Sequence, residues 1–401
     1  SSEWSVSKGS DLERAFAEDG ERKTHVGGQA LLEGIMMRGK LNWAVAVRKP
    51  DGSIHVEEHD LASGRKQNSW LTWPFVRGCT ALVESLMLGF KALAIATEHA
   101  FEDEDDAAKA EADLEASLDA EASLEVAADP LAPAQLRQAE ESIDDAGSMM
   151  AEGEAAAAKE KAEKGSDLLM VVPMVLGVVM GIVLFIVAPA AIANLLVGEY
   201  DARTLAWNLV DGVVRVAIFV FYLWLIGRMS DIKRMFMYHG AEHKTIHCYE
   251  HGLPLTPDNA RRFPRLHVRC GTAFLIMVMI IAIIVYTIVP LNALISALGV
   301  PDGAPKFALV VVVRVLLMPL IAGISYEITV KWAGSHPENP LVKVILWPGM
   351  QMQYLTTNEP DDGQLECAIA AMERVLEREE RAASEAGAAR GGEKAKAKAT
   401  A

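Results

Sequence analysis

Five of the ten histidines fall between His239 and His267. The densest run reads Tyr238-His239-Gly240-Ala241-Glu242-His243-Lys244-Thr245-Ile246-His247-Cys248-Tyr249-Glu250-His251-Gly252. If residues 230–250 form one helix, ended by Gly252 and Pro254, His239 and His243 stack one turn apart, with Glu242 about 60° from His239 on the same side. Two imidazoles at that spacing can hold one divalent metal ion, zinc among the candidates. The adjacent carboxylate can take a proton from water, and His-x-x-Glu-His is the order used by one class of zinc hydrolases. His239 and His243 are therefore the expected ligands and Glu242 the expected general base.

A third ligand is needed. His267 and Cys270, in RLHVRCGT, could fold back against the helix, with His247, Glu250 and Glu327 as weaker candidates. The same histidines could instead only hydrogen-bond at a membrane surface, with His247 and His251 continuing a polar face. Further polar residues stand in apolar surroundings. Asp211 and Arg215, one turn apart, form a mutual ion pair by default, or line a substrate path. Arg314 and Glu327 either snorkel or meet partners. In GGQALLEGIMMRG the glycines suit a tight structural loop, and Glu33 and Arg38 could pair or dock onto the histidine helix.

The elements that must position these groups are mostly membrane helices. Residues 168–197, 205–226, 272–300 and 307–330 are each apolar over about 20 residues or more, the length of a bilayer core. The segment from Arg228 to Gly271 carries eight Lys or Arg, whereas GEYDART and PDGAPK carry one each. Positive residues favour the cytoplasm, so the histidine segment and both termini are expected there. In residues 71–100, Arg77, Glu84, Lys91 and Glu98 recur every seventh residue. They draw one polar line on an apolar helix, which fits an interfacial helix, or one facing a polar partner, better than a lipid-exposed span.

The fold class is mainly α: a polytopic membrane bundle of four spans and one amphipathic helix, with a cytoplasmic histidine-rich helix. A small N-terminal module, residues 25–70, holds a β-hairpin around RKPDG, whose Pro-Asp-Gly supplies the turn. Residues 1–24 are expected to be unstructured. Residues 101–165 carry 20 acidic against 5 basic side chains, a net of −15 that leaves the rest of the chain at −1 of the total −16. Such a stretch cannot bury enough apolar surface to fold and is expected to be a spacer. After the spans, residues 336–381 read as an interfacial segment and a soluble amphipathic helix with acidic residues at its start, then a low-complexity tail at 382–401. The acidic balance excludes nucleic acid as a partner. Four scattered cysteines form no disulfide framework, and the N-terminus lacks a signal-peptide pattern.

Taken together, GGQALLEGIMMRG, MYHGAEHKTIHCYEHG, RLHVRCGT, RVLLMPLIAGISYE and TTNEPDDGQLECAIAAM resemble the YqhQ-like family of bacterial membrane proteins. Five motifs in order, across residues 26–100 and 168–373, carry the resemblance. It implies a bacterial cytoplasmic (inner) membrane location and a metal-dependent enzyme of no established substrate. Relatives usually have Pro where this chain has Val268, which puts the geometry beside His267 in question, and the acidic stretch is an expansion with no core role.

Two function classes fit. One is a metal-dependent hydrolase acting at the cytoplasmic face on a membrane-proximal lipid or peptide. The other is a non-enzymatic scaffold or biogenesis factor bound to a membrane-protein partner. The lipid bilayer is a partner in either case. Four spans with no internal repeat make a poor carrier unless the chain forms a homo-oligomer.

Overall fold

The structure is a computed structural model that describes residues 10–17, 24–61, 73, 76–100, 175–198, 204–289, 295, 297–301, 303–333, 336 and 339–399. The acidic stretch at 101–165 lies outside the described residues, as does most of 1–24. The chain divides into two compact units, Ser1–Glu102 with Pro189–Ala401, and Asp103–Ala188.

Four antiparallel strands form a meander in the order β1 (Gly27–Leu31), β2 (Gly34–Arg38), β3 (Asn42–Arg48) and β4 (Ile54–Asp60). The expected hairpin is β3–β4, turned through Gly52 at φ +85°. The preceding glycine-rich segment, expected to be a loop, is a second hairpin, β1–β2, in which Leu31 pairs with Gly34. Its turn places Glu33 at φ +48°, the single non-glycine residue in the left-handed region among those described. The central strands β2 and β3 are covered on both faces, which explains why NWAVAV lacks a wet side. Ile35, Met37, Ala44 and Ala46 pack on one face, and Leu31, Met36, Trp43, Val45 and Val47 on the other.

Helix α1 (Asp11–Ala17) lies within the segment expected to be unstructured and buries Ala15 against Leu266 and Met350. Helix α2 (Val76–Ala100) covers the second face of the sheet through Leu88, Ala92 and Ala96. Its polar line meets polar partners. Arg77 clasps Glu327 with two guanidinium nitrogens, the Nε at 2.6 Å, and Glu84 lies 3.5 Å from Arg38.

Among the described residues, four helices are long and apolar enough to cross a bilayer, the mark of a multi-pass membrane protein: α2, α3 (Val175–Val197), α4 (Leu205–Ile226, within Thr204–Ile226) and the last (Ala304–Ala333). By length and composition α2 is one of them, beyond its expected place as an amphipathic helix. Of residues 272–300, Phe274–Ile288 form an apolar stretch of helix α7 (Gly271–Ile288), and part of the remainder lies outside the described residues.

The histidine helix α5 is Ser230–Glu250, the expected span. It ends in a Schellman motif: Gly252 at φ +68° donates to the Tyr249 carbonyl, and Leu253 donates to that of Cys248. Short α6 (Pro257–Ala260) follows, capped by Thr256, and the chain then returns antiparallel along α5 to Cys270. Helix α8 (Ala304–Tyr326) continues as a π-helical stretch, Glu327–Ala333. Helix α9 (Pro340–Thr356) precedes α10 (Asp362–Ala399), which opens with a reciprocal Asp361–Gln364 capping box. Helix α10 runs on through the low-complexity segment where a tail was expected, since Ala, Lys and Glu are strong helix formers. Leu365, Ala368, Met372 and Val375 of α10 cover the first face of the sheet together with Tyr238 and Ala241 of α5.

Between the apolar helices lies a buried polar network. Asp211 accepts from Arg215 and from Arg314, each at 2.8 Å, and Arg314 also donates to Asn208 at 2.9 Å. The Arg314 guanidinium sits over the rings of Trp207 and Tyr286, at 4.6 and 4.5 Å. Of the two expectations for Arg314, the structure gives an interior partner and no snorkelling.

Candidate functional site

Helix α5 is pinned to the chain that returns beside it by its own side chains. Lys244, buried, donates to the carbonyls of Arg261 and Phe263. His243 Nδ1 bonds the Arg265 carbonyl at 2.6 Å, and His247 Nε2 bonds the Leu266 carbonyl at 2.9 Å. From the other side, Gln353 of α9 clamps the His267 backbone, accepting its N–H at 2.8 Å and donating to its carbonyl at 2.9 Å. The segment carrying His267 and Cys270 is thus held between two helices.

The result is a group of ligand atoms from His239, His243 and Cys270 that lie within 4.8 Å of one another. His239 Nε2 is 3.2 Å from Cys270 Sγ, while its Nδ1 bonds the Thr356 carbonyl at 2.8 Å. Because each imidazole uses Nδ1–H on a carbonyl, each is left with a lone pair on Nε2. That is how second-shell partners fix a ligating histidine. His243 Nε2 is buried and makes no hydrogen bond. Two imidazoles and a thiolate suit zinc, whose bonds to nitrogen and sulfur are about 2.0–2.3 Å. An unpartnered buried nitrogen facing a thiol is what such an ion would satisfy, so the residues fit a metal.

Glu242 is also buried, and its Oε1 accepts the Gly28 backbone N–H at 2.8 Å. Burial pushes its carboxyl above the ordinary range, against the pull of His239 and of the Gly28 bond. A methyl group at Gly28 would stand 2.8 Å from Glu242 Cδ, so only glycine lets the strand approach this closely. Gly240 meets the Asn358 carbonyl in the same way.

The other predicted residues disperse in an ordered manner. His267 joins His247 and Glu250 in a second, fully buried group beside the first, its ring 5.7 Å from that of His243. Glu33 docks onto α5 through Arg234, at 2.6 Å, whereas Arg38 turns to Glu84. Asp211, Arg215 and Glu327 lie away from the histidines, in the pairs described above. The glycines of GGQALLEGIMMRG are expected to permit tight backbone approach, and Gly28 makes one. Sequence reasoning missed Lys244, Gln353 and Thr356.

Two cavities that share walls border the site, a polar lobe and an apolar lobe. The polar lobe, about 420 Å³, is lined by His25, Arg38, Glu242, His243, His267 and Arg269 among others. The apolar lobe, about 660 Å³, runs between Leu82, Leu86, Phe90 and Leu93 of α2, Phe219 and Leu223 of α4, and Phe274 of α7, with His239 at its floor. Gly28, Gln29, Ser85, Glu242, Cys270 and Gly271 border both.

A family model described as a protein of unknown function (DUF1385) matches residues 73–378. The uncharacterized protein YqhQ of Bacillus subtilis (strain 168) is 29% identical over 350 residues, covering 87% of this chain and 92% of that protein. No solved structure matches the chain. With three quarters of its length inside that match, the chain belongs to the DUF1385 family of proteins of unknown function.

Proposed function

We propose that this protein is a metal-dependent hydrolase of the bacterial cytoplasmic membrane, acting on a lipid at the cytoplasmic surface. The observation that carries the reading is a pair of cavities with shared walls. Glu242 and Cys270 line both the apolar one, walled by α2, α4 and α7, and the polar one. An amphipathic substrate spanning them would have its acyl part in the first, its head group in the second and its polar linkage at the shared wall. Each cavity lies in the size range of small-molecule sites. A peptide lacks a comparable reason to fill the apolar lobe. The basic segment around α5 supports a cytoplasmic face.

His239, His243 and Cys270 would hold one divalent ion, which supplies Lewis-acid polarisation of a carbonyl or phosphoryl oxygen. Glu242 takes the proton of the attacking water and returns it to the leaving alcohol oxygen, as the ester bond breaks and the water oxygen bonds the acyl carbon or phosphorus. The Gly28 N–H keeps that carboxylate aimed while its second oxygen handles the proton. The alternative, a non-enzymatic scaffold or biogenesis factor, draws on polar residues within the spans and on the polar-striped helix α2 beside the N-terminal module; Asp211, Arg215 and Arg314 bond one another inside the chain.

The test is hydrolysis of bilayer phospholipids in mixed micelles by the zinc-loaded full chain, followed by mass spectrometry of the products. Wild type should release a lyso-lipid, fatty acid or head group. Glu242→Gln should lose about 10² in rate or more with its metal content unchanged. No product from wild type, or equal rates for the two proteins, would sink the reading.

A further inference from the structure

The second histidine group lies outside this proposed chemistry. His247, Glu250 and His267 each offer one ligand atom, all within 4.8 Å of one another, and all three residues are buried, at 1%, 0% and 3% exposure. His247 Nδ1, Glu250 Oε2 and His267 Nε2 are buried atoms that make no hydrogen bond. His247 Nδ1 and Glu250 Oε2 have been freed by the use of their sibling atoms elsewhere. His247 Nε2 bonds the Leu266 carbonyl. Glu250 Oε1 accepts the Thr24 N–H at 3.1 Å and a guanidinium nitrogen of Arg269. Three adjacent polar atoms of this kind are costly to the fold unless something satisfies them.

We propose that His247 Nδ1, Glu250 Oε2 and His267 Nε2 bind a second divalent transition-metal ion, separate from the one at His239, His243 and Cys270. Two imidazoles and one carboxylate suit zinc or ferrous iron. The competing explanation is a plain ion pair between protonated His267 and Glu250, whose atoms are 3.7 Å apart. That distance is too long for a hydrogen bond. Burial, reinforced by His243 and Arg269, also pushes the His267 imidazole well below its usual range, towards the neutral form. Burial and the neighbouring His267 do the same to His247. Neutral imidazoles carry the lone pairs that a metal needs. Coordination through Nε2 releases one contact, the long 3.3 Å approach of the Arg269 N–H to His267 Nδ1.

The site does not depend on the hydrolase reading, and its test separates the two. Detergent-purified full-length protein is stripped, reloaded with cobalt(II) and counted for metal per chain, with thiolate-to-cobalt absorption marking the Cys270 site. Wild type should hold two ions and show the band. Glu250→Gln should lose one ion and keep the band, which also reports that the variant has folded. His247→Gln, about one turn earlier on α5, should do the same. Cys270→Ser should lose the band and one ion only. A single ion without the band, lost in Glu250→Gln, supports this site and removes the thiolate one. A single ion with the band, retained in both Glu250→Gln and His247→Gln, overturns the proposal, as does a wild type that binds none.

Discussion

The Gly28 backbone and the Glu242 carboxylate meet across 214 residues of sequence, joined by a 2.8 Å hydrogen bond at the wall shared by the two lobes. The strand β1 thus sets the angle of the group assigned to proton transfer. Gly28→Ala puts a methyl group 2.8 Å from Glu242 Cδ and 2.9 Å from the Met36 carbonyl oxygen, so the carboxylate has to shift. Lipid hydrolysis should fall roughly a hundredfold, the effect of about 1 Å of misplacement. Metal content should stay at the wild-type level. Full activity in Gly28→Ala would show that Glu242 needs no such support.

The histidine helix was legible from the sequence because its cues are local. The i, i+4 imidazoles, the Gly252 stop and the polar composition all lie within one segment, and the helix spans the expected residues. The third ligand was not legible. Whether Cys270 or His267 reaches His239 depends on how residues 261–270 run along α5, and Gln353 fixes that path from 86 residues away. The β1–β2 hairpin was hidden for a related reason. Strand β2 is buried on both faces and so shows no alternation, and the turn uses Glu33 at positive φ where glycine would ordinarily flag it.

Asp211 is the shared counter-ion of two arginines in the apolar bundle. Asp211→Asn preserves shape and removes the charge, which leaves Arg215 and Arg314 buried without a counter-ion. The bundle should lose about 3–5 kcal/mol of stability, read as a large drop in the thermal unfolding midpoint in detergent. An unchanged midpoint would contradict the pairing.

The Arg77–Glu327 clasp ties α2 to the end of α8. Both side chains are partly exposed, so screening keeps the pair weak. Arg77→Glu alone should destabilise through repulsion, and the exchange Arg77→Glu with Glu327→Arg should recover most of the loss. A double-mutant cycle in thermal unfolding checks this. No recovery in the exchanged protein would mean that the two residues act independently.

Burial pushes the thiols of Cys248 and Cys367 up to about 11. At pH 8 only about one in a thousand of either is thiolate, so the reactive form grows as pH rises towards 11. Iodoacetamide at pH 8 should leave both unmodified in the folded protein and should react with Cys270 only until zinc is added. Peptide mass mapping reads all three sites. Modification of Cys248 at the rate of Cys270, or a Cys270 that zinc fails to protect, would go against the account.

X-ray absorption at the zinc edge of the reconstituted full-length protein tests the thiolate-bearing centre most directly. The account predicts a sulfur shell at about 2.3 Å beside nitrogen or oxygen at about 2.0–2.1 Å, with the sulfur shell absent from Cys270→Ser. Zinc surrounded by nitrogen and oxygen alone in wild type, or a sulfur shell that survives Cys270→Ser, would contradict it.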